Sequence, residues 1–226
     1  MKKILYIIVI VALLPLYSGC SREYVFDLEE IHTNNNNNNN NNNYTASGAI
    51  NGHEYVDLGL SVKWATCNVG ANAPEDYGDY YAWGETSTKS SYTRDNCETT
   101  GESIINIKGT SRDVARVKWG GTWSMPSRAE CEELINECKW TSTTKSGING
   151  YRITGPNGNS IFLPAAGYRG GTDSYDVGVE GYYWCSTSTD GYNLCGSTIF
   201  FTDTYYTTNS SSIERFGGLP VRPVTK

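Results

Sequence analysis

The stretch from Met125 to Trp140, MPSRAECEELINECKW, carries the clearest helix signals in the chain. Ser127 and Glu130 stand in the S-x-x-E arrangement, in which each side chain satisfies a main-chain donor at the helix start. Cys131, Leu134, Ile135 and Cys138 follow at i, i+3, i+4 and i+7, so they share one face. Both cysteines therefore point inward. Two helical turns put them about 10.5 Å apart, beyond disulfide reach, and each needs a distant partner. A second, shorter helical spacing joins Val114, Val117 and Lys118, with Gly120–Gly121 ending it.

Everything else reads as short strands. EYVDLGLSVKWATCNVG contains one or two, broken at Gly59. YRITGPNGNSIFLP places Asn157–Gly158 between two apolar runs, a strong hairpin signal. YYWCS, STIFF and LPVRPV are strand-like pieces set among polar loops that carry little charge. Few helices and many short strands predict an α+β fold, not a doubly wound sheet.

The start of the chain reads as an address. Lys2 and Lys3 precede an apolar run from Ile4 to Leu16, too short for a comfortable membrane span and suited to a signal peptide. Ser18 and Gly19 then lead into Cys20. That order resembles a bacterial lipoprotein signal, which implies residues 1–19 as the cleaved signal, Cys20 as the lipidated residue, and a membrane attachment through the lipid. Residues 20–48 form the expected tether, because the asparagine run Asn34–Asn43 has nothing apolar to bury. The globular domain is expected over 49–226. Loss of Lys2 and Lys3 takes the net charge from −6 two units lower. Such a chain offers no basic footprint for nucleic acid.

Beyond Cys20 lie six cysteines, Cys67, Cys97, Cys131, Cys138, Cys185 and Cys195. An even number in an exported protein points to disulfides, with fifteen possible connectivities. No CxxC pair occurs and His32 and His53 are the only histidines, so no metal site is expected. Glu75, Asp76, Asp79 and Glu85 form an acidic loop that could offer oxygen ligands to calcium or a carboxylate pair. A solvated loop is the expected reading, as it is for Asp173, Asp176 and Glu180. No histidine is placed to activate a serine or cysteine, and neither an enzyme activity nor a cofactor is expected. Trp64, Trp119, Trp123 and Trp184 are assigned to the core.

Four pieces stand in order: YVDLGLSVKWATCNVGANAPEDYGDYYAWGET, WGGTWSMPSRAECEELINECKW, NGYRITGPNGNSIFLPAAGYRGG, and GYYWCS with the ending GGLPVRPV. Over residues 50–226 the chain resembles the Fibrobacter succinogenes major paralogous domain family of Bacteroides-type lipoproteins. The resemblance implies a C-type lectin-like fold: chain ends paired as strands, two helices, several short antiparallel strands, and long loops displaying a ligand surface. It also implies an outer-membrane lipoprotein of the cell envelope, on either side of that membrane. Some members are targets of diversity-generating retroelements. Family members typically carry cysteine at the positions of Cys67 and Cys138, which implies a Cys67–Cys138 bridge. Cys185 and Cys195 are additions to the family pattern, read as a loop-closing Cys185–Cys195 bridge, and Cys97–Cys131 remains. The Glu-Pro-Asn, Gln-Pro-Asp and Trp-Asn-Asp tripeptides of calcium-dependent lectins do not occur. The sulfatase-modifying oxidases share a lectin-like fold, but no reactive-cysteine motif of theirs is found here.

From Gly181 to Ile213 the only charges are Asp190 and Asp203, among Tyr, Ser, Thr, Asn and Gly. That mixture is the one antibody loops use for contact. With the scaffold that the resemblance implies, the loops at 187–193 and 202–212 are expected to form one ligand-facing surface. It comprises Thr187, Thr189, Asp190, Tyr192, Asn193, Asp203, Tyr205, Tyr206 and Asn209, with Tyr175 and Asp176 nearby. The expected partner of this monomer is an unidentified glycan or protein. The alternative is a structural or adhesive subunit of a cell-surface assembly.

Overall fold

The two ends of the globular part meet in one sheet. The computed structural model describes residues 45–189, 193–208 and 213–226. Strands β1 (Gly48–Ile50), β2 (His53–Val56) and β3 (Lys63–Ala65) form an antiparallel meander, and the last strand of the chain, β13 (Val224–Thr225), pairs with β3 through Val224 opposite Trp64. Val56, Trp64 and Val224 turn one face of this sheet into the core. The outer edge of β13 is closed by Ser124, which exchanges two main-chain hydrogen bonds with Val224.

The two helices follow the long loop after β3. Helix α1 (Val114–Trp119) starts at Asp113, whose carboxylate accepts from the Arg116 N–H. Helix α2 (Arg128–Glu137) starts at Ser127, with the expected reciprocal cap to Glu130. It ends one residue before Cys138, where the backbone becomes extended and leads into β4 (Lys139–Lys145). Strands β4, β5 (Ile148–Thr154) and β6 (Ser160–Pro164) form a three-stranded antiparallel sheet. Its first turn, Ser146–Gly147, has positive φ at both residues, and its second falls at the expected Pro156–Asn159. A small hairpin follows, β7 (Tyr168–Gly170) with β8 (Asp173–Tyr175).

The centre of the molecule is the antiparallel pair β9 (Gly181–Ser188) and β10 (Cys195–Phe201). The short strands β11 (Tyr206–Thr207) and β12 (Ile213–Glu214) line the other edge of β10. Side chains alternate across a strand, and here both faces are buried. Tyr183, Cys185, Ile199 and Phe201 enter one core with α2, β5, β6 and the terminal sheet. Tyr182 and Trp184 enter a second core with Tyr81, Trp83, Trp119, Trp123, Leu219 and Val221. The consecutive aromatics of YYW thus serve two cores, one residue each way. Among the described residues the architecture is mixed α+β, with mostly antiparallel strands and two helices.

The expected tryptophans are all in the core, and Trp83, left unassigned from sequence, is fully buried, its indole N–H donating to the Cys185 carbonyl at 2.9 Å. No helix among the described residues is long and apolar enough to cross a membrane. The expected lipidation residue Cys20 and the asparagine run lie outside the described residues.

Candidate functional site

Five aromatic rings run in contact, from the exposed Tyr175 through the buried Tyr182 to the exposed Tyr205. Tyr168 and Tyr175 are cross-strand partners in the β7–β8 hairpin, and their rings stack at 5.2 Å. Tyr168 meets Tyr182 edge-on at 5.1 Å, Tyr182 lies 4.9 Å from Phe200, and Phe200 lies 6.5 Å from Tyr205. The rings at the two ends are open to solvent: Tyr175 is 44% exposed and Tyr205 50%. Val177 (39%) and Val179 (65%) follow Tyr175 in the chain and add exposed apolar area to that end. Single exposed apolar residues are ordinary, whereas a contiguous group of them marks an interaction surface.

The two end tyrosines are held by hairpins. Across Gly171–Thr172, β7 turns into β8, and β7 is pinned from both flanks: Gly171 exchanges two main-chain bonds with Tyr92, and Arg169 two with Gly218. Asp176 takes up a left-handed conformation (φ 56°), and its carbonyl accepts from the N–H groups of Val179 and Glu180. Asp is among the few residues that tolerate this backbone. Tyr205 closes the β10–β11 turn, where Thr202 Oγ1 accepts from the N–H groups of Thr204 and Tyr205. The polar rim includes Glu180, which accepts the Tyr182 hydroxyl proton at 2.5 Å, and the exposed Asp173 and Asp203.

The expected single surface is divided by the β9–β10 pair. Tyr175, Asp176, Asp203 and Tyr205 lie near the end where Gly181 opposes Phe201. Thr187, just inside the Ser188–Gly196 pairing, and Thr189 and Asn193, beyond it, belong to the other end. Seven residue steps along the strand separate the two ends, roughly 23 Å. Asp190, Tyr192 and Asn209 lie outside the described residues. Thr187 is a strand residue whose hydroxyl accepts the Arg128 N–H at the start of α2. Thr189 donates its N–H to Cys195, and Asn193 is tied to the 99–103 loop through Gly101 and Ser103. Tyr206 faces the opposite side from Tyr205: it stacks on Trp140 at 4.8 Å and meets Tyr151 at 5.8 Å. Burial, and then the Asp203 charge, push the Tyr151 hydroxyl up to about 12. Tyr206 therefore packs onto the α2-side core and is not part of the ring series.

The cysteines require a correction. Cys185 Sγ lies 2.9 Å from Cys131 Sγ, and both residues are fully buried. Cys67, Cys97, Cys131, Cys138 and Cys185 are unbridged in this structure, so it contains none of the expected bridges Cys67–Cys138, Cys185–Cys195 and Cys97–Cys131. Strand register explains the second. Cys195 sits beside Thr189, four positions along the strand pair from Cys185, roughly 13 Å. The third fails because Cys131 faces Cys185, while Cys97 lies against Thr99.

The acidic loop is dismantled into separate roles. Glu75 accepts from Lys145 Nζ at 2.8 Å and from Ser146 at 2.6 Å, which holds its carboxyl below the ordinary range. Asp76 accepts the N–H groups of Asn72 and Ala73, Asp79 the Tyr81 hydroxyl, and the buried Glu85 binds Lys89 and the Glu98 N–H. Among the described residues no three metal-ligating side chains converge. His53 stacks on Trp119 at 3.9 Å, and burial lowers its pKa. Compared with family profiles, curated proteins and solved structures, the chain finds no match.

Sequence reasoning missed Tyr168, Tyr182 and Phe200 as the rings between the two exposed tyrosines. A signal for the first existed. YRGGTDSY places two tyrosines symmetrically about a glycine-containing turn, the pattern of a cross-strand aromatic pair.

Proposed function

We propose that this chain is a non-catalytic binding module of the cell envelope, anchored through lipid on Cys20, that holds a glycan or protein ligand across the rings from Tyr175 to Tyr205. The observation that carries the reading is the continuous ring contact between two exposed tyrosines on separately braced hairpins. Tyrosine offers contact area with few torsions to freeze. Hairpins already held by main-chain bonds lose little further freedom on binding.

A C-type lectin-like scaffold of the Fibrobacter succinogenes paralogous-domain type is the proposed frame. Three features support it: the pairing of the chain's last strand with β3, the two helices, and the long loop between β3 and α1. On this reading retroelement diversification, if it acts on this gene, falls on residues of the 202–206 turn that face the ligand. Catalysis has no support in the side chains at hand, since the clustered carboxylates are separately engaged and His53 is stacked on an indole. The alternative, a subunit that donates its C-terminal strand, is disfavoured because Val224 and Thr225 are buried between β3 and Ser124.

The test begins with a glycan array and a pull-down on host and bacterial surface proteins using the wild-type chain. Tyr175→Ala and Tyr205→Ala are then compared with Asn193→Ala at the far end. An aromatic anchor is worth about 2 kcal/mol or more when truncated, or roughly thirtyfold in affinity. Loss confined to Asn193→Ala would move the site to the other end of the hairpin.

A further inference from the structure

We propose that Cys131 and Cys185 are the protein's α2-to-β9 disulfide, formed during export and sealed in the core. The two sulfurs already touch, at 2.9 Å, while their residues stand 54 apart in sequence. Two other cysteines stand farther away along the same elements. Cys138 sits at the far end of the same helix face, beside Glu133 and Glu137. Cys195 is four strand positions away from Cys185.

The chemistry is a two-electron thiol–disulfide exchange with an oxidised dithiol oxidase of the cell envelope. A thiolate from Cys131 or Cys185 attacks the enzyme's disulfide and releases one enzyme thiol. The second cysteine then attacks the mixed disulfide, completing the Cys131–Cys185 bond and releasing the other enzyme thiol. The substrate's two thiol protons end on the reduced enzyme. The order of events follows from burial. The thiolate is the reacting form, and burial, together with the Cys185 sulfur beside it, drives the Cys131 pKa well up. Once α2 has docked on β9, neither sulfur is exposed to an oxidant. Exchange therefore precedes docking, and the finished bond is shielded from reductant.

The bond fixes α2 to the strand pair whose ends carry the candidate ligand loops. Closing a loop of this length removes denatured-state entropy, and for a domain of this size its loss lowers Tm by roughly 8–15 °C.

The experiment uses the full chain recovered from an oxidising envelope, unfolded in an alkylating reagent without reductant. Digestion after glutamate and aspartate separates Cys131 from Cys138 at Glu132, Glu133 and Glu137, and Cys185 from Cys195 at Asp190. The expected product is a Cys131 peptide joined to a Cys185 peptide. Alkyl label on both residues, or Cys185 joined to Cys195, overturns the proposal. In parallel, reductant present during unfolding is expected to lower the Tm of the wild type but to shift Cys131→Ala/Cys185→Ala much less. Equal reductant shifts in the two proteins would overturn it as well.

Discussion

Replacing Arg215 with Met should unlatch the loop that leads into α1. The guanidinium is fully buried, and its acceptors are main-chain carbonyls: Thr99 at 2.9 Å, Glu102 at 2.7 Å, Ile104 at 2.9 Å and, more weakly, Cys195 at 3.4 Å. Its plane also lies 4.3 Å from the Trp83 ring centre. A single side chain thus holds loop 99–104, strand β10 and the second core together. Methionine keeps the approximate length and the apolar stem but removes all three short hydrogen bonds, although the Thr99 and Glu102 carbonyls each keep a main-chain donor, from Glu102 and Ile104. At about 1 kcal/mol net per lost hydrogen bond, that is about 3 kcal/mol. The lost cation–π contact adds about 1–2 kcal/mol. The expected total, about 4–5 kcal/mol, corresponds to a Tm lower by roughly 8–20 °C. Arg215→Lys retains the charge but not the fork, since an ammonium cannot point at three separated carbonyls as the planar group does. It should recover less than half of the loss. Urea unfolding followed by tryptophan fluorescence measures both variants. A Met variant within 1 kcal/mol of the wild type would refute the reasoning, because water or loop movement would then be satisfying those carbonyls without cost.

Tyr205→Ala should change stability by no more than about 0.5 kcal/mol while weakening ligand binding roughly thirtyfold. Tyr206→Ala should do the reverse, costing about 2 kcal/mol through lost packing on Trp140 and Tyr151 and leaving affinity unchanged; denaturant melts beside binding isotherms separate the two. Gly167→Ala should cost at least about 2 kcal/mol: the backbone there is left-handed (φ +60°), and a Cβ would lie 2.0 Å from the Tyr175 carbonyl oxygen. The same variant should weaken binding by displacing Tyr175. The Glu75 contact with Lys145 and Ser146 should stabilise the fold fully above Glu75's ordinary pKa of 4.5 and be lost as pH falls through its lower folded value. Glu75→Gln should therefore cost up to about 1 kcal/mol at pH 7, and its stability should converge with the wild type in acid.

Much of the fold was legible because its local signals are chemical. The Ser127–Glu130 box places the start of α2 to the residue, and Asn157–Gly158 marks the turn between β5 and β6. The two-sided burial of β9 was harder to see. Its serines and threonines argued for a surface, since an unpaired buried hydroxyl is costly. In the fold Thr187 of β9 accepts from Arg128 and Ser197 of β10 donates to the Ser188 carbonyl, while the Ser186 hydroxyl is buried without a partner. Small hydroxyl residues in a strand can spend their polarity on nearby main chain, so they do not report exposure as Lys or Glu would.

The division of the expected surface follows from the same strands. Consecutive connections on an antiparallel hairpin emerge at opposite ends, so Thr189 and Asn193 are separated from the 202–205 turn by the length of β10. Composition treats both loops alike, because it records residue types and not the direction in which the chain leaves the sheet. Strand parity carries the rest. Tyr205 and Tyr206 are neighbours in sequence, but period-two alternation sends one ring toward Phe200 and the other toward Trp140. The same parity puts Cys185 beside Tyr183 in the core that receives Cys131. Helix face and strand face together thus select a cysteine pair that spacing alone leaves open among fifteen connectivities.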